Sequence, residues 1–501
     1  MMSENKNNRL DAFKSYLSDV EYLNSAIGVL YWDSRVNIPR KGVPYRGEVL
    51  GYLSGELYKK QTSDTMKAFI DEFSAMADAD DVTRAMADRA KREYDRSMKI
   101  PEERYRAYVV AVSAAEAAWE EAKDKSDYAL FKPHLEKLIG FNREFVEYWG
   151  AGAQKYDKLM DYYEPGVTVA MLDKVFGELR DAIVALLDRI KTKPQPDDSF
   201  LKSTFPVDAQ ARLSRHILEK LGYDFGAGRL DVSVHPFTIT MGAGDVRITT
   251  HYYENEPRSA LYGSIHEGGH AIYEQNIDPA LAGTMLMTGT SMGVHESQSR
   301  LYENVIGRSR AFWQYFYPEA QKAFPQLSSV PMEAFYKAVN DVKPSLIRIE
   351  ADELTYSLHV IIRYEMEKAI FDGGASVDEL PALWNQKYKE YLGVEPDSDS
   401  RGILQDTHWS GGNFGYFPSY ALGNLYGAQF LHTMKKDIPD MEQRFASGDF
   451  QCVNDWLKEH IHKYGAVYMP DALIQKVTGE PLTAKYFIDY LNTKYTEVYG
   501  L

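Results

Sequence analysis

Cysteine is nearly absent: the 501 residues contain one, Cys452. No intrachain disulfide can form, and a thiolate metal cluster is excluded. Long apolar runs are missing as well. No stretch reaches the ~18 uninterrupted apolar residues that a membrane span needs, and Met1 to Leu10 are polar with no apolar signal core. A soluble, cytoplasmic protein is the expectation. Positive charge is not in excess: 57 lysines and arginines face 73 aspartates and glutamates, for a formal net charge of -16. Such a surface repels phosphate backbones, and runs such as Lys435-Lys436 are too short to reverse it. Nucleic acid is therefore not an expected partner. Internal repeats, low-complexity tracts and an evident interdomain linker are missing too, so residues 1–501 are read as one domain, built as a large helical body that can carry two lobes.

Apolar material is plentiful, at 44% of the chain, enough for a large core. Leu10, Phe13, Leu17, Val20, Leu23, Ile27 and Leu30 recur at steps of three and four, which places them on one face of a helix. Tyr105 to Lys123 is Ala-rich and helix-prone. Pro194 and Pro196 mark a loop. The pattern then changes: Phe237, Ile239 and Met241 alternate with threonines, Val246, Ile248 and Thr250 alternate with Arg247, Thr249 and His251, and Gly242-Ala243-Gly244 lies between. That is a hairpin signal in an otherwise helical chain. Helix resumes from Ser259, broken by a Gly-rich, aromatic loop at Ser410 to Tyr420.

The chemistry concentrates at His266-Glu267-Gly268-Gly269-His270. On a helix, positions i and i+4 share a face, so both imidazoles can reach one cation, with Glu267 beside the first. A divalent ion brings the pKa of its water toward neutrality, and Glu267 would take that water's proton and pass it to the leaving amine. Leu261, Tyr262, Ile265, Ala271 and Ile272 flank the motif with apolar residues and predict a buried helix. Two glycines inside a helix cost about 1 kcal/mol each. Close approach of a bound peptide backbone explains them, and tight helix–helix packing explains them nearly as well. A hydrolytic site also needs a third ligand and an open position. His295-Glu296-Ser297-Gln298 follows, and since adjacent helical residues diverge by about 100°, either Glu296 or His295 faces the ion, not both; Glu296 is preferred. His359, alone in an apolar stretch, reads as a core histidine.

These residues resemble the Taq-type metallocarboxypeptidases, the thermostable carboxypeptidase 1 family. Six segments stand in that family's order: His235-Pro236-Phe237, Asp245-Val246-Arg247-Ile248-Thr249, the HEGGH run, the His295–Gln298 run, Ile347-Arg348-Ile349-Glu350-Ala351-Asp352, and Gly402-Ile403-Leu404-Gln405-Asp406-Thr407-His408-Trp409. Tyr31-Trp32-Asp33 is similar as well, so the likeness spans nearly the whole chain. The resemblance implies a mostly α fold with a deep substrate groove, like neurolysin and angiotensin-converting enzyme, with the small β element near the active site. It implies release of single C-terminal residues from peptides with broad specificity, a zinc or cobalt ion, and a homodimer. It assigns His266, His270 and Glu296 as ligands and Glu267 as base.

For a terminal carboxylate, the bidentate fork of Arg348 is the candidate receptor, with an ion pair to Glu350 or Asp352 as the alternative. His235 and Arg247 are further substrate-binding candidates, although a hairpin Arg247 can also point to solvent. His408 and Tyr420, or Tyr416 in its place, are expected to hold the oxyanion. Asp352 and Asp406 are expected to orient the ligand histidines. The strand from Asp245 is expected to accept an extended substrate at its edge.

Overall fold

The repeating apolar face of the N-terminus is realised as helix α1, Met2–Val36, which buries Phe13, Leu17 and Val20. The computed structural model describes residues 2–150 and 152–501, with side chains from Asn8 onward. Met1, Ala151 and the first side chains of the polar N-terminal run lie outside the described residues. Helix α2, Val43–Gln61, packs along α1 and buries none of its own side chains. The Ala-rich stretch falls within the helix Glu102–Lys125. Helices α3, Lys155–Tyr163, and α4, Val207–Leu221, complete the scaffold ahead of the sheet.

The expected hairpin is present. Strand β2, Thr238–Gly242, pairs antiparallel with β3, Asp245–Thr250, across a turn in which Gly244 takes φ +79°. A third strand, β1, Leu230–Val232, lies parallel to β3 on its other side, giving the order β1-β3-β2. Three residues are too few to display an alternation, so β1 is invisible to a periodicity reading. Its presence corrects the expectation for Asp245 onward. Strand β3 is the central strand, with both ladders used, and cannot take up an extended substrate; the edge strand beside it is β2.

The alternation in β2 also points the opposite way from a solvent-facing hairpin. Thr238 and Thr240 turn toward the next helix, where their hydroxyls reach Glu267 and Glu274. Ile239 and Met241 turn toward Gly28 of α1. The sheet is therefore a wedge between α1 and that helix, with its polar face directed inward.

That helix is α5, Pro257–Gln275, started by Glu256 as cap and Pro257 at its first position. Helix α6, Met292–Arg300, begins at Ser291, whose hydroxyl accepts from Val294 N. It continues into a π-helical turn, Leu301–Ile306. Helix α7, Glu353–Phe371, runs through the core with nearly every side chain buried. Helix α8, Pro418–Asp437, packs on α6 and α7. Helix α9, Gln451–His460, carries Cys452 in its first turn, where the thiol is 8% exposed and donates to the carbonyl of Asp449. An apolar core joins side chains from Phe13 to Tyr499. The expected architecture, mostly helical with a small sheet beside the helix that carries His266 and His270, is what the chain adopts. Among the described residues, no helix is long and apolar enough to cross a membrane.

Candidate metal centre

Glycine sets the spacing of the elements that meet here. A Cβ on Gly269 would stand 2.8 Å from the carbonyl oxygen of Gln298, and one on Gly268 2.4 Å from a Leu218 methyl of α4. On the far side of α6, a Cβ on Gly423 of α8 would meet Glu296 Cγ at 2.5 Å. Helix α6 is thus clamped between two glycine contacts. The paired glycines of the HEGGH run serve helix packing, and the peptide-approach explanation is set aside.

This packing brings His266, His270 and Glu296 together, with one candidate ligand atom from each lying within 4.8 Å of the others. Glu296 Oε2 is 3.6 Å from His266 Nε2 and 3.4 Å from His270 Nε2. Bonds of ~2.0–2.1 Å around a tetrahedral ion put neighbouring ligand atoms about 3.3–3.4 Å apart, so the donor set fits a zinc-sized cation. Protonation fits as well. Burial pulls the His270 imidazole down to about 4, leaving it neutral. Burial pushes Glu296 upward, but the charges of Arg300 and His266 outweigh it and hold the carboxylate well below its ordinary range. Arg300 Nε donates to Glu296 Oε1 at 2.7 Å, leaving Oε2 toward the histidines.

Each candidate ligand imidazole is oriented from behind. His266 Nδ1 lies 2.9 Å from Glu303 Oε2. His270 Nδ1 lies 2.6 Å from His295 Nδ1, and His295 Nε2 lies 2.9 Å from Glu274 Oε1. His295 thus stands one layer out, and of the adjacent pair it is Glu296 that faces the other ligands. The expected orienting groups, Asp352 and Asp406, are elsewhere. Asp352 caps α7, accepting from Thr355 N and Oγ1 and from Lys343 N. Asp406 binds Arg348 and Arg363. Glu274 was legible in principle, since it continues the His266, His270 series by a further four residues on the same helix face. Glu303 is seven residues beyond Glu296 and reaches His266 through the π-helical turn.

Glu267 is buried beside this set. Thr238 Oγ1 donates to its Oε2 at 2.6 Å, leaving Oε1 free. Burial raises the Glu267 pKa above its ordinary value, with the neighbouring His266 and the Thr238 bond opposing.

The second group of expected residues clusters on the other side of Arg300, whose guanidinium lies 4.2 Å above the Tyr356 ring. The Tyr356 hydroxyl accepts from Arg348 Nη1 at 3.1 Å. Arg348 pairs with neither Glu350 nor Asp352. Its Nε and Nη2 both donate to Asp406 Oδ1, at 3.0 and 2.9 Å. A guanidinium has five N–H groups, so two remain uncommitted. Its plane stacks 4.8 Å from the Tyr420 ring centroid. Tyr420 lies in the first turn of α8, its hydroxyl 3.0 Å from His408 Nε2. Tyr416 packs edge-on against Tyr420, with ring centroids 5.1 Å apart. Burial brings His408 down to about 4, so its ring is neutral.

Two candidates are not part of this cluster. Arg247 is bidentate to Asp245 and lies 4.5 Å over the Trp32 ring, so it neither points to solvent nor offers a free fork. His235 is exposed ahead of β2, and its backbone carbonyl is what the neighbouring Ser233 hydroxyl engages. His359 is a core residue, fully buried, with Nδ1 3.0 Å from the Tyr388 hydroxyl.

A family model described as carboxypeptidase Taq (M32) metallopeptidase matches residues 12–495. Carboxypeptidase 1 of Bacillus subtilis is 49% identical over 492 residues, covering 98% of each chain. Thermostable carboxypeptidase 1 of Thermus thermophilus is 41% identical over 498 residues, covering 96% of this chain and 97% of its own. The crystal structure of the M32 carboxypeptidase from Deinococcus radiodurans superposes with a TM-score of 0.96 at 36% identity, covering 99% of this chain and 100% of that one.

Proposed function

This chain belongs to the carboxypeptidase Taq (M32) family of metallopeptidases, and from that premise we propose how its residues divide the work of a metal-dependent carboxypeptidase. His266, His270 and Glu296 hold one divalent ion, with zinc preferred over cobalt for a two-histidine, one-carboxylate set of this size. When bound, that ion supplies Lewis acidity to water and to the scissile carbonyl. The observation that carries the reading is the meeting of these three donor atoms with Glu267 on the same helix.

Glu267 is the general base. Thr238 fixes one carboxylate oxygen, so the free Oε1 receives the proton of the attacking water and returns it to the leaving amine. Arg348 receives the C-terminal carboxylate of the peptide through its two uncommitted N–H groups. Two arginines share Asp406 in this corner, which leaves positive charge for an anion to balance. Tyr420, steadied by neutral His408, donates its hydroxyl to the developing oxyanion, with Tyr416 beside it as the alternative donor. His235, exposed near Thr238, is kept as a contact for the substrate beyond the scissile bond. The same reading includes broad specificity for the residue released, a homodimer, and a cytoplasmic setting consistent with a single cysteine.

Digestion of an N-blocked peptide by metal-loaded enzyme, followed by mass spectrometry, tests this. Stepwise loss of single C-terminal residues, abolished by Glu267→Gln with metal retained, is the expected result. Internal cleavage, or equal cleavage of the C-terminally amidated peptide, would overturn the exopeptidase assignment.

A further inference from the structure

Helix α7 carries two fully buried ionisable side chains one turn apart, Arg363 and Glu367, which the chemistry above does not use. Both face the segment that bears Asp406, His408 and Tyr416. Arg363 Nε donates to Asp406 Oδ2 at 2.6 Å, and its Nη1 donates to the His359 carbonyl at 2.7 Å and the Tyr388 hydroxyl at 3.1 Å. The guanidinium lies 4.5 Å over the Trp384 ring. Glu367 accepts from Trp409 Nε1 and from Gly415 N, each at 2.7 Å. Gly415 has φ +88°, and a Cβ there would stand 2.5 Å from the Leu159 carbonyl carbon of α3. The segment is therefore fastened to one rigid helix at both of its ends.

The division of Asp406 between two arginines is the informative feature. Oδ1 faces Arg348 and Oδ2 faces Arg363. Neutralising one buried carboxylate requires one guanidinium, and Arg348 already supplies it; a second, wholly buried arginine exceeds that need. Glu365 on the same helix is paired with Lys387, and Glu367, one turn beyond Arg363, is pushed up to about 7 by burial and does not fully balance the excess. What Arg363 adds is direction. Held by its own helix carbonyl, a tyrosine hydroxyl and a tryptophan face, it fixes the plane of the Asp406 carboxylate, and that plane fixes how the Arg348 fork is presented.

We propose that Arg363 is a positioning residue for recognition of the substrate's C-terminal carboxylate, acting through Asp406 on Arg348. This rests on the reading of Arg348 as the carboxylate receptor. Arg363 touches no substrate; it sets selectivity for a free terminus by removing the alternative orientations of Asp406.

The test uses metal-loaded enzyme, an N-blocked tripeptide as substrate, and its C-terminal amide as competitive inhibitor. Arg363→Met is expected to raise KM about tenfold or more with kcat changed less than about threefold, because a ground-state contact to the carboxylate is loosened. The inhibition constant of the amide, which lacks the carboxylate, stays unchanged; a merely structural defect would move both. In an Arg348→Met background, Arg363→Met adds nothing further. Since removing a buried arginine beside a carboxylate can prevent folding, Arg363→Lys and Tyr388→Phe, which loosen the same anchor, are read in the same way and raise KM by smaller factors. If Arg348→Met raises KM but the folded Arg363 and Tyr388 variants leave it unchanged, this inference fails alone. If Arg348→Met leaves KM unchanged, the carboxylate-receptor reading fails and this inference falls with it.

Discussion

The Nδ1 atoms of His270 and His295 stand 2.6 Å apart. To hold an ion, His270 Nε2 must present a lone pair beside Glu296, so in that state the His270 proton is on Nδ1 and is donated to His295, whose own Nε2–H is donated to Glu274. Such outer partners fix the tautomer and tilt of a ligand ring and are worth about 10–100-fold in metal affinity. His295→Phe is expected to weaken metal binding by about that factor. Competition against a chromophoric chelator measures it, and unchanged affinity would sink the relay.

Gly269 has no room for a side chain against the Gln298 carbonyl. Gly269→Ala pushes α5 from α6 and separates the two histidines from Glu296. The expected cost is about 1–3 kcal/mol, as for overpacking elsewhere, together with reduced metal stoichiometry. Denaturant midpoints and metal analysis on one preparation test both; a stable variant with full metal content contradicts the packing argument.

Thr238 lowers the pKa of Glu267 by donating to its carboxylate, against burial, which raises it. Thr238→Val removes the lowering influence. The acidic limb of the kcat/KM profile is expected to move to higher pH, and kcat/KM at neutral pH to fall by about tenfold, the worth of a hydrogen bond to a charged group. Metal content stays unchanged. A profile that does not move argues against Glu267 as the titrating base.

Glu164, just past α3, accepts from Ser291 Oγ, Gly293 N and Tyr426 hydroxyl, tying the start of α6 to α8. Burial pushes its carboxyl from 4.5 up to about 7, with the bond from Gly293 opposing. The folded chain therefore keeps a proton that the unfolded chain has released. Its contribution to stability is complete below the unfolded value and is lost as pH rises through 7, about 3 kcal/mol. Glu164→Gln, whose amide oxygen can still accept from Gly293, does not titrate. Its Tm is expected to fall less than wild type between pH 6 and pH 9. Parallel curves would remove Glu164 as the source.

The sequence brings out the candidate ligand set because its spacing is local: His266 and His270 lie one turn apart, and a helix places them on one face. It did not carry the partners behind them with equal clarity. Glu274 shared the same arithmetic but resembled any surface glutamate until β2 and α6 enclosed it. Asp406 and Asp352 carry the right residue type for that task but no spacing that ties them to the histidines. Asp352 sits where a helix must begin, and its carboxylate goes to Thr355 N. Asp406 lies between two arginines 15 residues apart in sequence, on a 3-10 turn and on α7, and nothing local announces that meeting. The hairpin was visible through its glycines, whereas the inward direction of its threonines depended on two glutamates seven residues apart on α5.

Cys452 has a use that its scarcity creates. It is the single thiol of the chain, nearly closed off at the start of α9. Two residues on, the Asn454 side chain donates to the Leu221 carbonyl and receives the Tyr302 hydroxyl, so α9 is latched to the end of α4 and to the π-helical turn after α6. A maleimide can react at Cys452 when that latch releases. Its labelling rate under native conditions therefore serves as a clock for local opening behind the metal helices, without introducing a probe. Slower labelling when metal is added would report, in seconds and minutes, how far the ion's grip extends beyond the atoms it touches.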